Sequence, residues 1–398
     1  MEKLECLFCQ KKYPLDISFP FCPTCGEPLL FSYPPKKRKF SLEKSSSVEK
    51  FLDFLPLQQF DPKLSLGEGN TPLTELCRLK EKWKLRPEIL AKNETVNPTQ
   101  SFKDRGTAVA VQKALSLGFK RIGTVSTGNM ASSTAAYGAK AGLQTFVLLK
   151  EGSSREKILS TGMHKPFLIT VKGDYGQLFY KSFSIGKKHR IYFMNSVDPL
   201  RIEGYKVTGF EIFLQLQKKA PQYIFVPVSS GGHLIGLMRA YLDLKKEGLI
   251  SQFPIFIGVQ SKGCSPLAHA FRSGKSKFTR IKKAETIAHA ISNPAPPGGN
   301  ILLKMIRENK GLILDVTDRE ILIAQKELAE FEGILCDPAS ATTLAGFLKL
   351  SRKMRFLFQD KVVLVITGTG LKEMNVLRCH KIDVLKTTLP KLDKMISS

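Results

Sequence analysis

The segment Asn97-Pro-Thr-Gln-Ser-Phe-Lys-Asp-Arg-Gly106 joins a predicted strand, Ile89–Lys92, to a predicted helix, Asp104–Leu117. Lys103 therefore lies at a loop-to-helix junction, next to the apolar Phe102. Partial removal from water lowers the pKa of a lysine and allows its amine to form a Schiff base. A single lysine in such a place is more often a solvated surface charge. The role of Lys103 can therefore be inferred only together with the other motifs of the chain.

On both sides of this segment, short β-branched or apolar runs alternate with longer amphipathic stretches. The predicted strands are Ile89–Lys92, Arg121–Val125, Gln144–Leu149, Pro166–Val171, Ile191–Asn195, Tyr223–Val228, Ile255–Val259 and Val362–Ile366. The predicted helices are Asp104–Leu117, Met130–Ala141, Val207–Lys219, Leu234–Lys246, Asp318–Glu332 and Ala341–Arg352. Strands that alternate with helices predict βαβ units and a parallel sheet. Binding sites in such sheets gather in the loops at the carboxyl ends of the strands.

Three further loops follow predicted strands and are rich in glycine and small polar residues. Ser126-Thr-Gly-Asn129 offers hydroxyls and backbone N–H groups to a carboxylate or phosphate, although an ordinary helix cap has the same composition. Ser229-Ser-Gly-Gly-His233 has the form of a phosphate-binding loop but lacks the Lys-Ser/Thr ending of a P-loop, which argues against a nucleoside triphosphate. Thr367-Gly-Thr-Gly370 would present a neutral hydroxyl at the end of the last strand, or is a simple turn.

Four of the eight cysteines form two Cys-X2-Cys pairs with twelve residues between them: Cys6 and Cys9, then Cys22 and Cys25. Two such pairs can surround one tetrahedral zinc ion, and four thiolate ligands make the site structural. The alternatives are a redox pair and a ribbon that has lost its metal. The other four cysteines are scattered and are interpreted as small core residues.

The composition of the 398 residues, 42% hydrophobic and 24% charged, excludes a disordered chain and a membrane protein with many spans. No apolar segment typical of a secretory signal is visible at the N-terminus, so a cytoplasmic location is expected. A net charge of +26 is typical of proteins that bind nucleic acid. However, the basic residues are spread along the chain, and the densest run, 36–39, has only four. Nucleic acid is therefore not the expected partner, and no membrane is expected.

Together, the four loops resemble the fold-type II pyridoxal-phosphate enzymes, the tryptophan synthase β-like family, over about residues 64–375. Within that family they are most similar to the threonine synthases, through Asn97–Gly106, the run Ser65-Leu-Gly-Glu-Gly-Asn-Thr-Pro72 and the run Asn195-Ser-Val-Asp-Pro-Leu-Arg-Ile-Glu-Gly204. The resemblance implies an α/β fold of two three-layer αβα domains, plus the small N-terminal zinc-ribbon-like segment. The implied domains are a ribbon over 1–33, a linker and arm over 34–60, a large cofactor-binding domain over 61–112 and 201–398, and a small mobile domain over 113–200.

The resemblance also implies roles for particular residues. Lys103 would carry pyridoxal 5'-phosphate as a Schiff base and act as the general base. The other cofactor contacts implied are Phe102 on the ring, Asn129 at the phenolic oxygen, Ser229, Ser230, Gly231, Gly232 and His233 at the phosphate, and Thr367 at the pyridine nitrogen. The substrate contacts implied are Ser126, Thr127 and Asn129 for the carboxylate, and Asn195, Ser196 and Arg201 for a substrate phosphate. The implied ligands of a structural zinc ion are Cys6, Cys9, Cys22 and Cys25.

The activity implied is the conversion of O-phosphohomoserine and water to threonine and phosphate by γ-replacement. Gln100, Met130, His233 and Thr369 depart from the threonine synthase pattern, and the last three are expected near the substrate. An alternative is therefore another lyase or β-replacing synthase of the family, such as a threonine dehydratase or a cysteate or cysteine synthase. A non-catalytic, basic nucleic-acid-binding protein is a further alternative. A homo-oligomer is left open.

Overall fold

The computed structural model describes residues 2–34, 37–152 and 155–397. In this part of the chain it has a large, mostly parallel sheet, a smaller parallel sheet and a small antiparallel sheet. Pro35 and Lys36 of the predicted linker and basic run lie outside the described residues. The strands are β1 (Lys3–Glu5), β2 (Lys12–Pro14), β3 (Leu30–Ser32), β4 (Leu73–Glu75), β5 (Glu88–Asn93), β6 (Arg121–Val125), β7 (Gln144–Lys150), β8 (Phe167–Val171), β9 (Tyr192–Phe193), β10 (Tyr223–Pro227), β11 (Ile255–Ser261), β12 (Leu312–Val316) and β13 (Lys361–Ile366).

Helices alternate with these strands along most of the chain. They are α1 (Ser47–Lys50), α2 (Cys77–Lys82), α3 (Lys103–Ser116), α4 (Asn129–Lys140), α5 (Arg155–Gly162), α6 (Tyr175–His189), α7 (Pro199–Gln215), α8 (Gly232–Lys246), α9 (Pro266–Arg272), α10 (Gly299–Glu308), α11 (Asp318–Glu332), α12 (Pro338–Ser351), α13 (Met374–Leu377) and α14 (Leu392–Ile396). In the described residues, no helix combines the length and the apolar character that crossing a bilayer requires.

The large sheet has the strand order β12-β11-β10-β13-β5-β4, and every pair in it is parallel except β4 with β5. The small sheet, β8-β7-β6-β9, is parallel throughout. The central strand β13 is a run of aliphatic residues that is buried over Val362–Ile366, as expected for a parallel strand covered on both faces. The α/β architecture predicted from the alternating pattern is confirmed.

Most predicted elements differ from the observed ones by a few residues at one or both ends. Side chains explain two of these differences. The predicted strand Ile191–Asn195 is reduced to β9. The backbone N–H of Val125 donates to the side-chain oxygen of Asn195 at 2.8 Å, whereas in a longer strand it would donate to a backbone carbonyl. The predicted helix Val207–Lys219 begins earlier, at Pro199. The Asp198 side chain caps it by accepting the backbone N–H groups of Leu200 and Arg201, each at 3.0 Å.

The antiparallel sheet β2-β1-β3 belongs to the cysteine-rich N-terminal segment, residues 2–33, which we call the ribbon. The ribbon shares a hydrophobic core with α3, and its Phe21 packs against Phe179 and Phe183 of α6 beside the small sheet. On its other side, Asn300 of α10 donates to the Glu27 carboxylate at 2.8 Å. The ribbon therefore contacts helices that flank both parallel sheets.

The short segment that follows the ribbon is packed rather than extended into solvent. Phe51 and Phe54 are buried and lie against the Phe210 ring of α7, at centroid distances of 5.2 and 4.9 Å. The predicted boundaries at 112/113 and 200/201 fall within α3 and near the start of α7, so neither boundary lies in a loop. The division into a large and a small mobile domain stays a prediction.

Candidate active site

The loop before Lys103 meets two glycine-rich loops at the carboxyl edge of the large sheet. The backbone N–H of Phe102 donates to the carbonyl oxygen of Thr367 at 3.0 Å, and Ser101 forms an isolated antiparallel bridge with Gly368. The Phe102 ring stacks on the His233 imidazole, with centroids 3.8 Å apart and planes inclined by 20°. The predicted convergence of the Lys103, Ser229–His233 and Thr367 loops is thus observed.

Lys103 is the first residue of α3, and its ammonium faces aromatic rings. The Nζ atom lies 4.2 Å from the centroid of Phe102 and 5.9 Å from that of Tyr205. Burial, and secondarily the positive charge of Arg201, lower the pKa of Lys103 to about 7. A substantial fraction of this side chain is therefore a neutral amine at neutral pH, which is the form that acts as a nucleophile or base.

His233 is a buried imidazole that contacts the rings of Phe102 and Tyr205. Neither Nδ1 nor Nε2 has a hydrogen-bond partner among the described residues. Burial, reinforced by the charges of Lys103 and Arg105, holds the pKa of His233 well below its usual range. A neutral imidazole has one N–H donor, so His233 can donate to an anion without carrying a charge of its own.

The loop between β10 and α8 packs closely against neighbouring backbone, which requires glycine at two positions. Gly231 has φ = +96°, a conformation that favours glycine, and a Cβ on Gly232 would lie 2.5 Å from the carbonyl oxygen of Ser196. Ser230 fixes the loop on its outer side, because its carbonyl accepts the N–H of Gly298 at 2.9 Å and its hydroxyl accepts from Asn293 at 3.0 Å. The N-terminus of the 15-residue helix α8 follows, and it supplies positive potential for a phosphate.

Arg201 places a second cation beside Lys103. Its Nη2 donates to the carbonyl oxygen of Lys103 at 3.2 Å and its Nε to the Tyr205 hydroxyl at 3.2 Å, whereas Nη1 is buried without a partner among the described residues. A buried guanidinium nitrogen without an acceptor is costly. An anion bound at this position would remove that cost, and arginine is well suited to bind phosphate.

Thr367 is held by a chain of polar side chains that the sequence analysis did not single out. Its hydroxyl lies 2.9 Å from that of Ser340, whose oxygen also accepts the backbone N–H groups of Thr367 and Gly368. Ser340 donates in turn to the Asp337 carboxylate at 2.6 Å, and burial raises the pKa of Asp337 to about 6. The sequence signal was Asp337-Pro-Ala-Ser340, a helix-capping pattern with proline at the first helical position.

The Ser126–Asn129 loop joins the site through Asn129, the first residue of α4. The Asn129 side-chain oxygen accepts from Lys372 Nζ at 3.1 Å, and its side-chain nitrogen lies 3.1 Å from the position of a Cβ on Gly368. Ser126 and Thr127 are half-buried in the same loop, where the Ser126 hydroxyl accepts the N–H of Gly128 at 3.3 Å. Like Ser340 and Asp337, Lys372 belongs to none of the motifs recognised in the sequence.

Asn195 is engaged by protein groups next to the Ser126–Asn129 loop. Its carboxamide is completely buried, where the oxygen accepts from Val125 and the nitrogen donates to the Ser182 hydroxyl at 2.9 Å. These hydrogen bonds connect Asn195 to β6 and α6 of the small sheet. A contact between Asn195 and the substrate stays a prediction. Ser196 is half-buried, and its carbonyl oxygen lies against Gly232.

These residues fit the phosphorylated aromatic cofactor that the resemblance implies. The fit rests on buried donors without partners in the described part of the chain, at His233 near the start of α8 and at Arg201 Nη1 beside Lys103. Phe102 supplies an apolar face, and Lys103 supplies an amine that is partly neutral. The arrangement can hold an anion, stack against a ring and move a proton.

The four ribbon cysteines also converge. The sulfur atoms of Cys6, Cys9, Cys22 and Cys25 all lie within 4.8 Å of one another, and none of these cysteines forms a disulfide. Four sulfurs at such distances match the ligand set of a structural zinc site.

Comparison with known proteins agrees with this geometry. The sequence profile of the family described as "Pyridoxal-phosphate dependent enzyme" matches residues 64–368. The threonine synthase of Methanosarcina acetivorans is 36% identical, over 94% of this chain and 93% of that protein. The threonine synthase of Methanocaldococcus jannaschii is 36% identical, over 93% of this chain and 92% of that protein.

Solved structures share the fold. The processed form of threonine deaminase isoform 2 from Solanum lycopersicum superposes with a TM-score of 0.65 at 17% identity, over 82% of this chain and 82% of that one. Maize serine racemase superposes with a TM-score of 0.66 at 17% identity, over 78% of this chain and 91% of that one. At these identities, the likeness establishes the fold alone.

Proposed function

The chain belongs to the family of pyridoxal-phosphate dependent enzymes, and from this premise we propose that it is a threonine synthase. It converts O-phosphohomoserine and water to threonine and phosphate. The full-length similarity to threonine synthases supports this activity. The observation that carries the choice of a phosphorylated substrate is the buried Arg201 guanidinium, whose Nη1 has no partner in the described residues and whose Nη2 contacts the Lys103 carbonyl.

The loops described above would hold the cofactor. Lys103 would bond it, and Phe102 would pack on its ring. The residues that would bind its phosphate are Ser229, Ser230, Gly231, Gly232 and His233, while Asn129 would lie at the phenolic oxygen and Thr367 at the pyridine nitrogen. When bound, pyridoxal phosphate withdraws electrons from the substrate's α carbon and so makes the α proton removable. A neutral hydroxyl at the pyridine nitrogen suits elimination and replacement reactions better than transamination.

Lys103 is the base that takes the α proton and then moves a proton at the β carbon. Its aromatic surroundings favour the neutral amine, because they remove water without supplying a carboxylate. Ser126, Thr127 and the backbone at the start of α4 bind the substrate carboxylate. Arg201 and Ser196 hold the substrate phosphate beside Lys103, so the leaving group is fixed where the base operates. Asn195 supports this region by anchoring β9 to β6.

We further propose that Cys6, Cys9, Cys22 and Cys25 bind a structural zinc ion. The convergence of the four sulfur atoms supports this site. The ribbon contacts α3, α6 and α10, which flank the two larger sheets. The metal would therefore stabilise the packing of these helices and take no part in the reaction.

The experiment that tests the function is product analysis with purified protein loaded with pyridoxal phosphate and supplied with O-phosphohomoserine. Phosphate and threonine are followed together. We expect equal release of both, complete loss in Lys103→Ala, and normal rates in Lys120→Ala, which changes an exposed lysine outside the site.

Two other outcomes would contradict the proposal. Phosphate with 2-oxobutyrate, and no threonine, would mean elimination without water addition at the β carbon. No phosphate from protein that carries the cofactor would mean that the substrate is a different amino acid, and the lyase or β-replacing alternatives would then be tested with serine, threonine and O-phosphoserine.

A further inference from the structure

A short segment after β13 reaches Asn129 from the opposite side of the site. This segment runs from Thr367 to Lys372, and its last three residues form a 3₁₀ turn, Gly370–Lys372. Lys372 Nζ donates to the Asn129 side-chain oxygen at 3.1 Å and also to the backbone carbonyl of Thr99 in the loop before Lys103. One lysine therefore connects the 3₁₀ turn, the Lys103 loop and the start of α4.

We propose that Lys372 is a positioning residue that fixes the orientation of the Asn129 carboxamide, so that its nitrogen, and never its oxygen, faces the cofactor. The inference rests on the proposed function, in which Asn129 contacts the phenolic oxygen of the cofactor. It adds a residue to which the sequence motifs assign no role.

The chemistry of the two groups determines the orientation. A lysine ammonium has three donors and no acceptor, so only the oxygen of a carboxamide can face it. Thr99 offers a carbonyl, which only accepts, and this contact independently requires Lys372 to donate. Burial lowers the pKa of Lys372, but the nearby carboxylates of Asp104 and Asp337 oppose that shift and favour the ammonium.

The opposite edge of the carboxamide carries its nitrogen. The Asn129 nitrogen lies beside Gly368, where a Cβ would come within 3.1 Å of it. Gly368 follows Thr367, the residue proposed at the pyridine nitrogen. The segment 367–372 would therefore determine two polar contacts of the cofactor ring. Thr367 would make the contact at the pyridine nitrogen, and Lys372 would orient Asn129 for the contact at the phenolic oxygen.

An unfixed carboxamide could turn its oxygen toward the ionised phenolic oxygen of the cofactor, and that contact is repulsive. Loss of the Asn129 N–H donor destabilises the more negatively charged form of the bound cofactor. The pKa read from the absorbance of the cofactor bound to Lys103 is therefore expected to rise. Removal of the Lys372 charge would change this pKa in the same direction, so the experiment must separate the two effects.

A double-mutant cycle makes that separation. The absorbance of cofactor-loaded protein is titrated with acid and base in the parent, Lys372→Met, Asn129→Ala and the double variant, and cofactor affinity is measured in each. We expect the pKa to rise in both single variants, with at least a tenfold change in the proton-binding constant. The double variant should show no more than the larger single effect. Lys372→Arg, which keeps a donor and a charge, should restore most of the parent value.

Each other result has a definite meaning. Additive shifts in the double variant would overturn the inference, because Lys372 would then act on the cofactor through its charge and not through Asn129. A parent-like pKa in Lys372→Met with a shifted pKa in Asn129→Ala would overturn it as well. If Asn129→Ala itself leaves both the pKa and the cofactor affinity unchanged, the assignment of Asn129 in the proposed function fails, and the inference fails with it.

Discussion

Gly204 of α7 rests directly on the backbone of Gly106 in α3. A Cβ on Gly204 would lie 2.8 Å from the Gly106 Cα and 2.5 Å from the carbonyl oxygen of Arg105. Two helices approach this closely only where neither has a side chain at the crossing. Lys103 and Arg201 each lie three residues before one of these glycines, so the crossing brings the base and the phosphate-binding cation together.

Gly204→Ala is accordingly expected to destabilise the protein and to weaken the site. Over-packing at such a contact costs about 1–3 kcal/mol, and separation of the helices would draw Arg201 away from Lys103. Urea unfolding and cofactor titration measure the two effects. Gly162→Ala is the control, since a Cβ there meets only Leu168 Cδ1, at 3.4 Å. Equal stability of both variants would show that the crossing tolerates a side chain.

The depressed pKa of Lys103 predicts how the apoprotein captures its cofactor. Only the neutral amine attacks an aldehyde, so the capture rate should rise with pH, through a midpoint of about 7, and level off above it. A solvated lysine would show its midpoint near pH 10.4. Stopped-flow absorbance over this pH range provides the profile, with Lys103→Ala as the blank. In Arg201→Gln the midpoint should move upward, because one cause of the depression is gone; an unchanged midpoint would assign the effect to burial alone.

Removal of the Ser340 hydroxyl should disorder the Thr367 loop. In Ser340→Ala, the backbone N–H groups of Thr367 and Gly368 lose their acceptor, at about 1–3 kcal/mol for each unpaired group. We expect a lower stability together with at least a tenfold weaker cofactor affinity, measured by equilibrium dialysis. Thr342→Val, on the same helix, removes a hydroxyl that donates only to its own helix at Ala339, and it should leave affinity unchanged.

Loss of one ribbon cysteine should remove the metal and lower the melting temperature. Cys22→Ser is expected to abolish the zinc content measured by atomic absorption, because a structural site closes only with four ligands. Cys379→Ser, which changes an exposed cysteine far along the chain, should retain both zinc and stability. Parent protein that contains no zinc after purification in zinc-supplemented medium would contradict the site.

Local signals were sufficient to predict much of the fold. The predicted bounds of β6 and α11 agree with the structure residue for residue. Helix α11 is marked at its start by a capping box between Thr317 and Glu320, and at its end by Gly333 in the left-handed conformation. The convergence of the Lys103, His233 and Thr367 loops was also predictable, because parallel strands deliver their carboxyl ends to one edge.

Other features depend on contacts between distant residues. Helix α6 was not predicted, since Gly176 and Gly186 interrupt its pattern. The structure explains Gly186, where a Cβ would lie 2.6 Å from the carbonyl oxygen of Ile191. The contact of Lys372 with Asn129 spans 243 residues, and no local pattern marks a lysine that binds a carboxamide at such a separation.

The contacts of the ribbon have a consequence for the order in which the protein is made and folded. The hydrogen bond between Glu27 and Asn300 closes a loop of 273 residues. At synthesis rates of about 5–20 residues per second, Asn300 follows Glu27 by roughly 15–55 s. During that interval the ribbon has left the ribosome, but α10, against which it packs, has not yet been synthesised. Phe21 likewise stays exposed to solvent until α6 has been synthesised. Chaperones and proteases would therefore encounter this aromatic face before the rest of the protein can protect it.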